Sequence, residues 1–399
     1  MQAVQLLHNF IAKSCSKIHS RRIQALFIAV GGLVIGSKLT LTGIGRALRT
    51  GCKTKNNIKC IDRLLGNNHL HSERREYYNA ATKLIMGNAK RPKIIVDWSP
   101  MPHMQYVLLR ASVPTKGRAL TIYEEVHPLK KLGNRKVQTN FLKTLSTILA
   151  KNCLPIFIMD AGFHSPFFKE IEKLGWDWIA RIRNGNKYKE STDWFLCKDL
   201  YKKATTVPRF ICKALLSKTN PIECFLFLFK GKKKGRIAKN KSGKRKQDEA
   251  SIRSAKANKE PWLLATSLKN GEKIARKVIK LYKFRMQIEE SFRDVKNSRL
   301  GFSFEESQTY KRKRFEILLL ISMLAILAVT ILGKAGELRG IQYDFQANTI
   351  RNRTVLSLFF LGCQLVRHGD IKFNNKELWM ALNALKSIIT KMEGEYEKS

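Results

Sequence analysis

Two aspartates and a glutamate occupy positions suited to metal-dependent chemistry. Lys93–Asp97 (KIIVD) and Leu154–Met159 (LPIFIM) read as buried strands, the first ending in Asp97 and the second followed at once by Asp160. The C-terminal ends of strands in an α/β domain are where catalytic and metal-binding carboxylates gather. Two carboxylates brought close repel each other unless a cation lies between them. With oxygen ligands and no competing His–Cys set, that cation would be Mg²⁺ or Mn²⁺. A third carboxylate comes from the segment 282–296, where Tyr282, Arg285, Glu289 and Lys296 are separated by three, four and seven residues. That spacing lines one face of a single helix. Glu289 would then hold metal while Arg285 and Lys296 grip phosphates on either side. Ordinary exposed ion pairs would also satisfy the spacing, but they leave the two strand-end aspartates unexplained.

The elements that must position these groups follow from hydrophobic pattern. Tyr106–Val113 reads as a second buried strand and Ala119–Val126 as a third, alternating enough to be half exposed. A helix over 136–151 precedes the strand ending before Asp160. Another around Pro166–Leu174 leads to a strand at Asp177–Ile182. This succession predicts a mixed sheet covered by helices. From about 185 to 280 the pattern is irregular, with strand-like pieces at Glu223–Lys230 and Pro261–Leu268. Between them, Lys230–Glu260 holds 13 Lys and Arg and almost no apolar residue, and so reads as a basic loop between two strands, either a phosphate-seeking arm or a solvated surface loop.

The first 90 residues read as helical and basic. Leu39–Leu48 is a short helix ending near Thr50-Gly51. In Asn56–Leu65, Ile58, Ile61, Leu64 and Leu65 form an apolar stripe, and Lys55, Lys59 and Arg63 take another face. A short helix, a turn and a basic amphipathic helix suggest a helix-turn-helix-like DNA reader; a solvated helix of a small bundle fits the same periodicity. At the other end, Glu377–Met392 is amphipathic, with Trp379, Leu382, Leu385, Ile388 and Ile389 expected on a stripe that packs within the chain or against a second subunit.

Charge narrows the partner. The 399 residues include 75 Lys and Arg against 31 Asp and Glu, a net +44, which favours polyanions over small metabolites. None of the eight cysteines forms a CxxC pair or a zinc-spaced set with histidine, as expected of thiols in a reducing cytoplasm. Ile23–Gly36 and Ile317–Leu332 are both shorter than the roughly 20 apolar residues of a membrane span. They are expected to be buried core helices, with no membrane partner.

These words resemble a known family. Y-x2-R-x3-E-x6-K over Tyr282, Arg285, Glu289 and Lys296 resembles the signature of bacterial cut-and-paste DDE transposases of the insertion-sequence-four family. TKNNIKCIDRLLGNNHLH, IIVDWS, DAGF, EKLGWDWIARIR, EPWLLAT, RMQIEESFRDVK and FQANTIRNR are similar to its insertion-sequence-ten-like branch, from about residue 20 to 370. The resemblance implies a ribonuclease-H-like α/β fold with helices on both faces and a β-strand insertion before the last catalytic helix. It implies Asp97, Asp160 and Glu289 as catalytic and metal-binding, with two Mg²⁺ ions (Mn²⁺ as substitute). It makes Tyr282, Arg285 and Lys296 signature contacts to DNA. Trp262 becomes a base-stacking residue or, on the residues' own reading, a strand tryptophan, and Arg181 and Arg183 become DNA contacts. Some relatives carry Trp directly after the signature arginine; here it is Met286.

The expected organisation is a helical end-binding domain over 1–90, a catalytic domain over 91–335 with an insertion at about 185–275, and a helical region over 336–399 suited to dimerisation. The expected activity is that of an insertion-sequence transposase in the bacterial cytoplasm, at the nucleoid. It would bind terminal inverted repeats in double-stranded DNA, excise through a hairpin and join 3′-OH ends to target DNA, acting as a homodimer. A structure-selective nuclease on the same fold and a non-catalytic DNA-binding protein are the competing readings.

Overall fold

The computed structural model of the chain describes residues 2–183, 185–231, 249, 260–269, 271–350 and 352–397. Nearly all of the expected basic loop at 230–260 lies outside them, as does Arg351. Five helices come first: α1 (Gln2–Ser14), α2 (Ser20–Gly36), α3 (Leu41–Ala47), α4 (Thr54–Leu65) and α5 (Asn68–Met86). Next are β1 (Lys93–Pro100), β2 (Tyr106–Pro114), β3 (Ala119–Pro128), α6 (Arg135–Ile148), β4 (Ile156–Met159), α7 (Ser165–Lys173) and β5 (Asp177–Ile182). Strands β6 (Lys187–Lys189), β7 (Trp194–Leu196), β8 (Arg209–Leu216), β9 (Ile222–Phe229) and β10 (Trp262–Thr266) follow. The chain ends in helices α8 (Ala275–Lys283), α9 (Met286–Lys296), α10 (Arg312–Leu338), α11 (Gln342–Phe345), α12 (Leu358–His368) and α13 (Asn375–Glu397). Two compact units result, Met1–Pro155 with Met286–Ser399, and Ile156–Arg285.

The first unit is built around α10. This 27-residue helix is long and apolar enough to cross a membrane, yet 89% of its most apolar window is buried inside the protein, so it is the expected core helix. Helices α1, α2, α4, α5, α12 and α13 pack on it, as does β3. A Cβ on Gly333 would collide with the Leu358 carbonyl, and one on Gly362 with that of Val329, so α10 and α12 cross backbone to backbone. Within this apolar helix Glu316 is buried. It is matched by His71 Nε2 at 2.5 Å and Arg74 Nη2 at 3.2 Å, both on α5, because a buried carboxylate needs compensating partners.

The strands of this unit run β3-β2-β1, all antiparallel. Two expectations change here. Strand β1 does not stop at Asp97: Trp98, Ser99 and Pro100 continue it by pairing with Leu109, Leu108 and Val107, which places Asp97 inside the strand. Nor is β3 half exposed. Helices α5, α9 and α10 all pack on it and bury it on both faces. Its Tyr123 meets Tyr78 of α5 edge-on at 5.5 Å and the Phe141 ring of α6 at 5.2 Å.

The second unit has the order β4-β5-β10-β9-β8-β6-β7. Strands β4 and β5 are parallel and joined through α7, as a parallel pair requires, while the other neighbours are antiparallel. Helices α7 and α8 pack on this sheet. Strand β8 escaped the sequence reading although Cys212, Ala214 and Leu216 alternate inward. A register shift between Phe210 and Cys212 interrupts its period. An antiparallel meander followed by helix, strand, helix and parallel strand is the ribonuclease-H-like α/β succession, and that is the fold class of this chain.

At the C-terminal end, α13 buries Leu378, Ala381, Leu382, Leu385 and Ile389 against the first unit. Trp379, expected on this stripe, is 40% exposed, because Leu378 rather than its neighbour is in phase with Leu382 and Leu385.

Candidate active site

In the first unit, charge is arranged as one row across three strands. Asp97 on β1 stands opposite Arg110 on β2, and Arg110 stands opposite Glu124 on β3. Directly opposed residues of an antiparallel ladder point to the same face, so the three side chains share one. Arg110 and Glu124 are almost fully buried and pair at 2.7 Å. The other Glu124 oxygen accepts the Tyr78 hydroxyl at 3.1 Å, and the Arg110 guanidinium lies 4.7 Å from the centre of the Phe292 ring. Asp97 itself is half-buried, with Oδ1 accepting its neighbour's amide, from Trp98 N, at 2.8 Å.

Helix α9, which carries the half-buried Glu289, packs on all three strands. Phe292, one turn after Glu289, rests on Arg110. One turn further, Lys296 Nζ donates to Ser99 Oγ at 2.7 Å and to the Pro100 carbonyl at the end of β1. Burial, and then the charge of Arg110, push Lys296 down to about 8. The lysine expected at a phosphate is thus tethered to the strand that bears Asp97.

The β2–β3 hairpin holds the same helix from another side. Thr115 N donates to Gln287 Oε1 at 3.0 Å, Ala119 N to Ser291 Oγ at 3.0 Å, and Ser291 Oγ in turn to the Ala119 carbonyl at 2.6 Å. Arg118 Nε completes the clasp at 2.7 Å from Asp294 Oδ2. Gln287, Ser291 and Asp294 recur at helical spacing, roughly opposite Glu289 on the helix. The clasp therefore fixes the rotation and height of the helix without occupying the face of the catalytic candidate.

One member of the clasp titrates. Burial pushes Asp294 up from 3.8 to about 6, against the opposing pull of Arg118. Between those values the folded chain binds this proton more tightly than the unfolded chain. The stability it contributes is full below 3.8 and is lost as pH rises through about 6. Asp294→Asn is expected to flatten the pH dependence of the melting temperature in that window. An unchanged slope in the variant would show that another group carries it.

The signature does not lie on one helix. The chain turns at Phe284–Arg285, where Phe284 N and Arg285 N bond back to the carbonyls of Leu281 and Tyr282 in three-residue steps. The cause is a change of buried phase: α8 buries Val278, Ile279 and Tyr282, but α9 buries Ile288, Phe292 and Val295. An uninterrupted helix burying 278 and 282 would have driven Arg285 and Glu289 into the same apolar stripe. Tyr282 thus sits on α8, Arg285 in the turn, and Glu289 with Lys296 on α9.

The second unit gathers most of the remaining candidates. Trp262, half-buried at the start of β10, meets the buried Tyr282 ring edge-on at 5.0 Å and Phe229 at 5.9 Å. Arg181 on β5 donates to the carbonyls of Glu260 and Pro261, each at 3.4 Å, and burial followed by Arg183 lowers its pKa. Arg183 pairs with the Glu260 carboxylate at 3.0 Å. Asp160 follows β4 as expected, and its Oδ1 accepts the Gly162 amide at 2.8 Å.

Lys55, Lys59 and Arg63 all project from α4 into solvent, while Ile61, Leu64 and Leu65 are buried. The approach to this helix is fixed by Asn57, whose Oδ1 accepts the Thr50 hydroxyl at 2.7 Å and whose Nδ2 donates to the Leu48 carbonyl at 3.3 Å. Gly45 lets α3 and α4 touch: a Cβ there would stand 2.7 Å from Ile58 Cα.

In donor chemistry the three carboxylates fit a hard divalent cation, being oxygen ligands, with Asp97 and Glu289 carried by elements of the first unit that pack together. Among the described residues, no three His, Cys, Asp or Glu side chains stand close enough to one another to hold a metal ion. Pattern reading missed Arg110, Glu124 and the clasp. A signal existed for the first two, since a charge inside YVLLRASV and another inside ALTIYEEV each demand a buried partner.

Residues 89–328 match the transposase DDE domain family. No curated protein matches the sequence. The chain is similar to a chain of a cryo-electron-microscopy structure of a piggyBac transposase synaptic complex with hairpin DNA, at TM-score 0.42 and 9% identity, covering all of this chain and 80% of that one.

Proposed function

This chain belongs to the transposase DDE domain family, and from there we propose that it is the transposase of a bacterial insertion sequence of the insertion-sequence-four type, in the insertion-sequence-ten-like branch. The observation that carries the reading is the seating of α9 on β1, β2 and β3, which sets Glu289 and Lys296 on the helix covering the strand of Asp97. Asp97, Asp160 and Glu289 would hold two Mg²⁺ ions, which when bound activate water and stabilise the departing 3′ oxygen. Water attacks the phosphorus and the bond to the 3′ oxygen breaks. The freed 3′-OH attacks a phosphate of the opposite strand, closing a hairpin as the bond to that strand's flanking 3′ oxygen breaks. Water then reopens the hairpin, and the regenerated 3′-OH attacks a target phosphate, displacing a 3′ oxygen of the target strand.

The rest of the chain's work is binding and positioning. Lys55, Lys59 and Arg63 read the terminal inverted repeats from the exposed face of α4. Arg285 and Lys296 grip phosphates on either side of the metal position, and release of Lys296 from Ser99 accompanies its own contact. Trp262, braced edge-on by Tyr282, offers its half-buried ring to an unstacked base, while Arg181 and Arg183 hold the adjacent backbone. We assign the helical segment 1–90 to end binding, 91–335 to catalysis and 336–399 to a homodimer on DNA, with Trp379 and Met380 exposed on α13. The setting is the bacterial cytoplasm, at the nucleoid.

The test uses purified protein, duplex DNA from the flanks of its own gene, and Mg²⁺. Nicks followed by hairpins on a denaturing gel, lost on chelation, are expected. Binding without any cleavage would move the chain to the non-catalytic reading, and nicks without hairpin or joined product would move it to a nuclease.

A further inference from the structure

The first unit contains a groove that none of these roles uses. It has a volume of about 850 Å³ and lies between the α2–α3 region and the segment 306–318, which leads into α10. Four cations line it, Lys38, Arg46, Lys311 and Arg314, against the single carboxylate of Glu306. Two of them are engaged: Lys38 approaches Glu306 at 3.6 Å, and Arg314 pairs with Asp62 on α4. Arg46 and Lys311 are exposed, and neither side chain makes an ion pair among the described residues.

The wall of the groove also presents an aromatic ring held in advance. Tyr310 is 52% exposed, and its ring is stacked on His103 at 4.5 Å with 28° between planes. His103 is itself fastened through Nε2 to the Ser307 carbonyl at 2.7 Å. The chain accepts positive φ at both His103 (61°) and Met104 (56°) in the same loop, a conformation that costs energy at non-glycine residues. A ring backed by a second ring has little freedom left to lose when something stacks on its outer side.

Cations spaced around an exposed, pre-stacked ring form the combination that binds single-stranded nucleic acid. The volume suits a stretch of one strand rather than a whole duplex. The groove also abuts α4, through Leu65 and the Arg314–Asp62 pair, and so adjoins the helix whose exposed face carries Lys55, Lys59 and Arg63. We propose that this groove receives one unpaired strand of the DNA end, with phosphates on Arg46 and Lys311 and a base on the outer face of Tyr310. The inference rests on the DNA-transposase reading and adds to it a site separate from the catalytic carboxylates and from Trp262.

The test is fluorescence anisotropy on the full chain with two probes, a blunt duplex from the gene's flank and the same duplex carrying a short single-stranded extension. Arg46→Gln/Lys311→Gln should lower the slope of log affinity against log salt on the extended probe by about 1.4, the release expected from two single-strand phosphate contacts at roughly 0.7 each. Tyr310→Ala should weaken binding of the extended probe by about tenfold and leave the blunt duplex unchanged, while Tyr310→Phe retains full affinity. Melting temperatures equal to the wild type attribute these losses to contact rather than unfolding. A wild-type slope in the double variant, or equal losses on both probes in Tyr310→Ala, overturns the groove and leaves the transposase reading standing. Failure of the wild type to bind either probe overturns both.

Discussion

Asp97→Ala and Glu289→Ala are each expected to lower metal-dependent strand cleavage by on the order of 10³-fold, the scale lost when a group that stabilises transition-state charge is removed. Affinity for DNA should be retained, because the counterion release expected to dominate binding comes from lysines and arginines elsewhere. Neither loss is expected to come from unfolding. Both carboxylates are half-buried, and neither belongs to the buried Arg110–Glu124 pair or to the clasp on α9. Asp97→Asn separates charge from shape, since it keeps the size and one acceptor oxygen while weakening the hold on a divalent cation. Single-turnover cleavage with each variant, beside anisotropy on the same DNA, checks both halves. Cleavage at wild-type rate in either alanine variant would remove that residue from the catalytic set.

Arg110→Ala is expected to cost about 3–5 kcal/mol of stability, the range for breaking a buried ion pair from one side. The variant leaves Glu124 in a site where its side chain is 1% exposed, with the Tyr78 hydroxyl as its one remaining side-chain partner among the described residues. It also empties the space under Phe292, on which α9 rests. Replacing the whole network, with Arg110→Met, Glu124→Leu and Tyr78→Phe together, should recover much of the loss, because no buried charge or hydroxyl then lacks a partner. Calorimetric melts of the single and triple variants test this. A single variant that melts with the wild type would mean the pair contributes little to holding β2 and β3. The cleavage rate of the triple variant adds a separate result: the strands would be intact while Asp97 has lost the cation opposite it in register.

Several features were legible because they depend on neighbours along the chain. The stripe Ile61, Leu64, Leu65 determines which side of α4 is buried, and Lys55, Lys59 and Arg63 are left in solvent as a result. The apolar run in α10 reads as core helix by length, and α10 is buried. Asp160 follows β4 because an apolar strand ends where its polar residues begin. The spacing of Tyr282, Arg285, Glu289 and Lys296 was visible too, although its helical interpretation failed at Arg285. Periodicity predicts a continuous helix, but it carries no information on which surfaces two successive helices must bury.

The local chemistry of this protein, its carboxylates, its basic helix and its succession of strands, is written in residue types at fixed spacing. Its positioning is not. Strand β1 continues past Asp97 because β2 offers partners for three more residues, and β3 is buried on both sides because three helices converge on it. Arg110 and Glu124 meet through register, and Ser291 and Asp294 become a clasp only when the hairpin at 114–119 folds against α9. Each of these depends on which residues, distant in the chain, come to share a buried surface. Packing free energy acts on such pairs, and no short-range pattern records them.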